Sequence, residues 1–350
     1  MARLYGRTLG KDDISARIGQ MSQIAGARSY ELTSGLAKGV AAVDVRTGSG
    51  FDFTVLPSRA MDIAWASYKG CPISYISPTG VVAPWYFAEN GTEGFLRNFF
   101  AGLLTTGGLT NIGVPCEDDG ERLGLHGRIS NTPAEDVSVS QEWEGDDYVI
   151  RVAGTVRQAR VFGGYLLLHR QITTRLGAKS MVIRDVVENA GSRPEPLMVL
   201  YHCNFGYPLV DTGTHLHTCG GEVAPRDPAA ESGIDQYDRF SEPIAGFAEQ
   251  CFYHDLRPRD GRAFAALFNE DLGIGAYVRY QVENLPTFVQ WKMMGRREYV
   301  VGLEPATNRL DGRKEVARRG ELRSLAPGER REFEVEIGVL DGKAALSELN

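Results

Sequence analysis

Three short stretches place ionisable side chains beside turn residues, where a rigid scaffold can present them. "VGLEPATN" ends the apolar run "YVVGL" with Glu304 and stops it with Pro305. A glutamate in that position either finishes the strand in solvent or aims its carboxylate into a pocket, because Glu is rarely buried unless paired. "YHCNFGYP" puts His202 and Asn204 at the end of another apolar run. "GLHGRISNTPA" sets His126 between two glycines, with Arg128 two residues on. A carboxylate of reference pKa ~4.3 and an imidazole of ~6.5 hold complementary protonation states near neutrality, which is what general acid–base chemistry needs. Taken singly, each group has an ordinary structural reading: Glu304 as a solvated strand end, His202 as a satisfied core histidine, Arg128 as half of a surface ion pair.

The elements that must position these groups are strands. "GVAAVDVRTGSGFDFTVLPS" alternates as two strands across a Gly-Ser-Gly turn. The stretch from Tyr148 to His202 reads as four or five strands, broken at Gly163–Gly164, Gly177–Ala178 and Gly191–Ser192. "AFAALFN", "IGAYVRYQV", "TFVQWKMM", "EYVVGLEP" and "RREFEVEIGVL" continue the rhythm to the C-terminus. Many short strands punctuated by 41 glycines and 16 prolines predict an all-β, large two-sheet antiparallel sandwich over residues 1–350 as a single domain. One amphipathic helix is expected, in "KDDISARIGQMSQIAG", making residues 1–30 an N-terminal helical extension. Residues 77–120 and 225–246 are weakly periodic excursions, and loops of that length usually cover a site or carry function.

Bulk properties narrow the function classes. Lys+Arg 38 against Asp+Glu 45 gives a net charge of −7 with no basic run, which argues against nucleic acid. No segment approaches the ~18 apolar residues of a membrane span, and the charged N-terminus lacks the apolar stretch of a signal peptide. The five cysteines are odd in number and show no CxxC spacing, so a reducing, cytoplasmic setting is expected. His215, His217 and Cys219 alternate in "THLHTC" and could share a metal-binding face, but no fourth ligand is evident. Neither a metal nor an organic cofactor is expected. Oligomeric state is not legible, and a homodimer is compatible with everything above.

The order "LHG", "YHxNFGYP", "LEP" resembles the aldose 1-epimerase (galactose mutarotase-like) superfamily across roughly residues 40–340. "VLPSRAMDI", "EQCFYHD" and "LPTFVQWKMMGRREYVVGLEPATN" are closer to a less-characterised aldose-epimerase-like branch. The resemblance implies a β-super-sandwich that interconverts the anomers of a free or modified sugar without a cofactor. It implies Glu304 as the base on the anomeric hydroxyl, His202 as the acid on the ring oxygen, and His126 as the group that holds that part of the sugar. The substrate-binding set is then expected to include Arg128, Arg59, Asn111, Asn204, Trp291, Lys292 and His254. Trp291 either stacks on the sugar or packs in the core, and Gln290 and Lys292 alternate onto the opposite face of its strand. The chain departs from the family in lacking an arginine before "LHG", where "TTGGLTNIGVP" supplies only Asn111. Arg59 or Arg128 is expected to take that role, which would suit an acidic, sulfonated or phosphorylated sugar. The acidic residue that grips the sugar is one of Asp235, Asp238 and Glu249. Two alternatives stay open: a non-catalytic sugar sensor, and an isomerase or lyase that removes a proton beside a carbonyl.

Overall fold

The computed structural model describes residues 1–349. Two antiparallel sheets dominate. Six strands run in the order Thr105–Leu109, Met198–Gly206, Tyr299–Ala306, Thr287–Met294, Gln250–Leu256, Gly221–Pro225. Eight strands run in the order Ala134–Glu144, Asp147–Ala159, Tyr165–Arg175, Ser180–Asn189, Arg330–Asp341, Ile274–Gln281, Arg262–Asn269, Thr214–Thr218. A five-stranded sheet, Gly26 to Pro72, flanks them. The all-β sandwich expected from the alternation is therefore present, with strand breaks at the glycines named above.

One apolar cluster joins the three sheets. Val43, Phe53 and Ile63 come from the five-stranded sheet, Tyr201, Cys203 and Leu303 from the six-stranded one, and Leu168, Ile183 and Val335 from the eight-stranded one. At its centre Arg170 faces inward because Tyr165–Arg175 alternates strictly between half-buried and buried positions. The pairing register sets it directly opposite Asp185, and the two join through paired N–H···O bonds of 2.9 and 2.6 Å. Arg170 also donates to Thr106 Oγ1 (2.9 Å) and lies 3.4 Å from Asp62, while the Tyr201 hydroxyl donates to Asp185 (2.6 Å). A buried guanidinium is tolerable only when its donors and charge are matched in this way. The cluster thus ties the three sheets at the residue next to His202.

The N-terminus corrects an expectation. Residues 2–9 form a hairpin, the helix covers Lys11–Ser15 only, and a single 3₁₀ turn follows at Met21–Gln23. Gly19 interrupts the apolar spacing, and a helix this short gains little from propagation. Ile14, Ile18, Met21 and Ile24 still pack on the core, from separate pieces instead of one continuous helix. Among the described residues, no helix is long and apolar enough to cross a membrane.

Candidate active site

Strand register brings the acid and base candidates together. The pairs Leu200↔Ala306 and Cys203↔Leu303 set His202 opposite Glu304 on neighbouring central strands. Alternation then fixes what shares their face. Val289 pairs with Glu304, Trp291 with Gly302, Met293 with Val300 and Cys251 with Trp291. His202, Glu304, Trp291, Met293, Val300 and Cys251 accordingly floor one cavity of about 530 Å³ on the outer face of the six-stranded sheet. Gly302 has a steric reason: a Cβ there would run into the Glu304 carboxylate.

His202 Nε2 lies 3.3 Å from Glu304 Oε1. The alignment is not that of a hydrogen bond, and both Glu304 oxygens and His202 Nδ1 are buried without a hydrogen-bond partner. Such orphaned polar atoms are costly unless something else arrives to satisfy them. Burial pushes the Glu304 carboxyl well above its ordinary range, a rise that nearby Arg226 moderates. Burial also lowers His202 to about 4. Both groups are thereby driven toward their neutral forms. A protonated Glu304 beside neutral His202 differs from the ion pair by one proton moved across that 3.3 Å contact. The neutral pair and the ion pair thus carry the same single proton.

His126 completes the group from the loop between Leu123 and Ile129. Its backbone is left-handed, with φ 53°. That conformation is held by its N–H to Gly113 O (3.0 Å) and by Gly108 N–H to His126 O (2.9 Å). The Gly113 N–H also donates to His126 Nδ1 at 3.2 Å. Nδ1 is thus the acceptor, and Nε2 carries the proton of the neutral ring. Burial first, then the neighbouring His202 and Arg226, holds His126 well below the ordinary imidazole value. It is a fixed neutral donor. The rings of His126 and His202 lie 5.6 Å apart, edge to face.

Aromatic side chains dry this end of the cavity. Phe95 stacks on Phe99 at 4.8 Å and contacts His126, while Phe99 and Trp291 both meet His202, at 5.1 and 5.3 Å. Tyr75, Ser77, Thr79, Phe95 and Phe99 come from the 75–99 stretch, most of it in the irregular segment singled out above. The polar mouth comes from the ends of the second excursion. Trp291 Nε1 donates to Glu249 Oε2 at 3.0 Å, and Arg226 lies between Asp227 and Glu249. Of the three acidic residues in the expected interval, Glu249 lines the cavity and Asp235 and Asp238 do not.

Six expected substrate contacts are placed elsewhere. Arg59 is buried and spends its donors on the carbonyls of Ser130, Val82 and Asn98, bracing three loops. Arg128 pairs with Glu89 at 2.6 Å in a neighbouring shallow hollow. Asn111 braces the histidine loop, donating to Gly124 O and accepting from the Arg313 N–H. Asn204 donates to the His202 and Ala101 carbonyls. Lys292 donates to Gln236 O and Arg239 O, and His254 bonds Gln290, both on the face that Trp291 does not share. Parity decides that pair: Cys251 and Trp291 face the cavity, so residues one or three positions away cannot. Sequence reasoning missed Arg226, Phe95 and Phe99. The spacing of the two phenylalanines, four residues apart in an aromatic-rich excursion, was the available signal. Among the described residues, no group of three His, Cys, Asp or Glu side chains could hold a metal, His215, His217 and Cys219 included.

A family model described as a domain of unknown function, DUF4432, matches residues 37–339. The chain belongs to the DUF4432 family. A search of curated proteins returns no match. The DUF4432 chain is similar in structure to a Klebsiella pneumoniae protein named "putative aldose 1-epimerase", with TM-score 0.87, 23% identity, and coverage of 94% of this chain and 88% of that one. A galactose mutarotase-like protein from Clostridium acetobutylicum superposes with TM-score 0.62 at 15% identity, covering 91% and 99%. Galactose 1-epimerase from Lactobacillus acidophilus superposes with TM-score 0.56 at 12% identity, covering 91% and 99%. The DUF4432 chain therefore has the galactose mutarotase-like sandwich fold.

Proposed function

We propose that this DUF4432 protein is a carbohydrate mutarotase or epimerase that interconverts sugar anomers by acid–base ring opening. The observation that carries the reading is the buried Glu304–His202 pair, 3.3 Å apart with orphaned polar atoms, on the floor of an aromatic-lined cavity. A volume of about 530 Å³ is within the usual range for small-molecule sites. Two groups this close suit two oxygens carried by one carbon, the hydroxyl and ring oxygen of a hemiacetal.

In the ion-pair form of the pair, Glu304 takes the proton of the anomeric hydroxyl and the C1–O bond to the ring oxygen breaks. That oxygen takes the proton of His202, leaving an open-chain carbonyl. Rotation about C1–C2 turns the carbonyl. His202 then recovers the proton as the ring oxygen attacks, and Glu304 returns its proton to the anomeric oxygen. His126 Nε2–H donates to a sugar oxygen and orients the ring. Each step conserves the pair's single proton.

The test is two-dimensional exchange NMR on a panel of aldoses, in which the protein should speed α/β exchange without exchanging any C–H for solvent deuterium. Deuterium in a product C–H bond would point instead to proton abstraction beside a carbonyl. Calorimetric binding without accelerated exchange would point to a sensor. Gly302→Ala is expected to displace the Glu304 carboxylate. A misplacement of this kind costs up to about 10²-fold in rate, and overpacking costs roughly 1–3 kcal/mol of stability. Exchange rates together with denaturant titration would read both effects.

A further inference from the structure

Resting on the sugar-exchange reading, we infer that Asp227 is a positioning residue that sets the charge preference of the cavity: by occupying Arg226 it makes the site select uncharged sugars over uronic acids and sugar phosphates. Among the described residues, Arg226 is the one guanidinium or ammonium that lines the cavity. Its Nε donates to Asp227 Oδ2 at 2.9 Å, and its Nη2 lies 3.5 Å from Glu249 Oε1. Glu249 is itself held by the Trp291 indole at 3.0 Å. Glu298 adds a further carboxylate to the wall. Arg226 is thus paired with Asp227 and Glu249, Glu298 stands elsewhere on the wall, and the Glu304–His202 pair adds no net charge. The two other arginines with a claim on an acidic sugar, Arg59 and Arg128, are engaged outside the cavity. An anionic substituent entering here meets the carboxylates of Glu249 and Glu298 beside a guanidinium already neutralised by Asp227, whereas a hydroxyl can both donate to Glu249 and accept from Arg226.

Asp227 can be tested without disturbing its local fold. It caps the short Pro228–Glu231 helix by accepting the Ala230 N–H at 3.0 Å, a role asparagine fills about as well. Asp227→Asn therefore keeps the cap and removes the charge. The experiment compares wild type and D227N in anomer exchange at pH 7, using D-glucose and D-galactose against D-glucuronate, D-galacturonate and D-glucose 6-phosphate. Wild type should favour the neutral sugars by about tenfold or more in kcat/KM, and D227N should narrow that ratio roughly five- to tenfold. A purely structural role would lower all five rates together and leave the ratio alone. Wild-type preference for an anionic sugar, or an unchanged ratio in D227N, overturns the inference. Should no sugar exchange at all, the acid–base reading falls instead. The same comparison, made on Kd by calorimetry with the same five sugars, then decides the charge preference by the same criterion.

Discussion

Glu304→Gln is expected to slow anomer exchange by about 10²–10⁴-fold, the usual contribution of one positioned proton-transfer group, while leaving the fold intact. Glutamine matches the carboxyl in size but can neither take nor return the anomeric proton. The loss should fall on kcat with KM little changed, because shape and hydrogen-bonding reach are kept. Stability offers an independent check with a definite sign. Glu304 is raised well above 4.5 by burial, so the folded chain holds this proton more tightly than the unfolded chain. Its contribution to stability is present at acid pH and is lost as pH rises from about 4.5 through the raised value, by at most ~1.4 kcal/mol per pH unit. The glutamine variant lacks that loss. Its stability relative to wild type should climb with pH across that window, measured by urea unfolding at successive pH values. A variant with full exchange activity would remove Glu304 from the mechanism.

His202→Gln is expected to produce a comparable 10²–10⁴-fold loss in exchange, with the opposite signature in stability. Burial lowers His202 from 6.5 to about 4, so the unfolded chain takes up a proton that the folded chain refuses. Wild-type stability should therefore fall as pH drops from 6.5 toward 4, and His202→Gln should lose part of that slope. His126, also held low, would supply the remainder. In wild type the two groups titrate as a pair, giving a bell-shaped rate profile. Its acid limb lies near 4, where His202 gains a second proton for the pair, and its alkaline limb lies where the pair's last proton is lost. A profile flat across both limbs would sink the shared-proton account.

Much of this was legible because strand alternation is a local property. The strand breaks and the opposition of Trp291 to Gln290 and Lys292 follow from period two alone; which face meets the cavity, and hence the exclusion of Lys292 and His254, does not. The pairing of His202 with Glu304 was not legible in that way. It depends on register between strands about a hundred residues apart, and only the order of the three motifs hinted at it. Arginines were the hardest to place. Arg59, Arg128 and Arg226 all sit near turns, and nothing local distinguishes a guanidinium that braces carbonyls from one that faces a ligand. The helix over 11–26 failed for a different reason: core packing could be satisfied by short pieces once Gly19 weakened the continuous one.

The acid–base pair and the polar mouth belong to different parts of the chain. Glu304 and His202 stand on central strands whose inner faces close the core, whereas Arg226 and Glu249 bracket an excursion over the 226–249 stretch, tied to the sheet through Lys292 and Gln290. On the proposed function, substitutions within that excursion are expected to change which sugars bind while leaving the proton-transfer groups in place, whereas substitutions at Lys292 or Gln290 would loosen the mouth from the sheet.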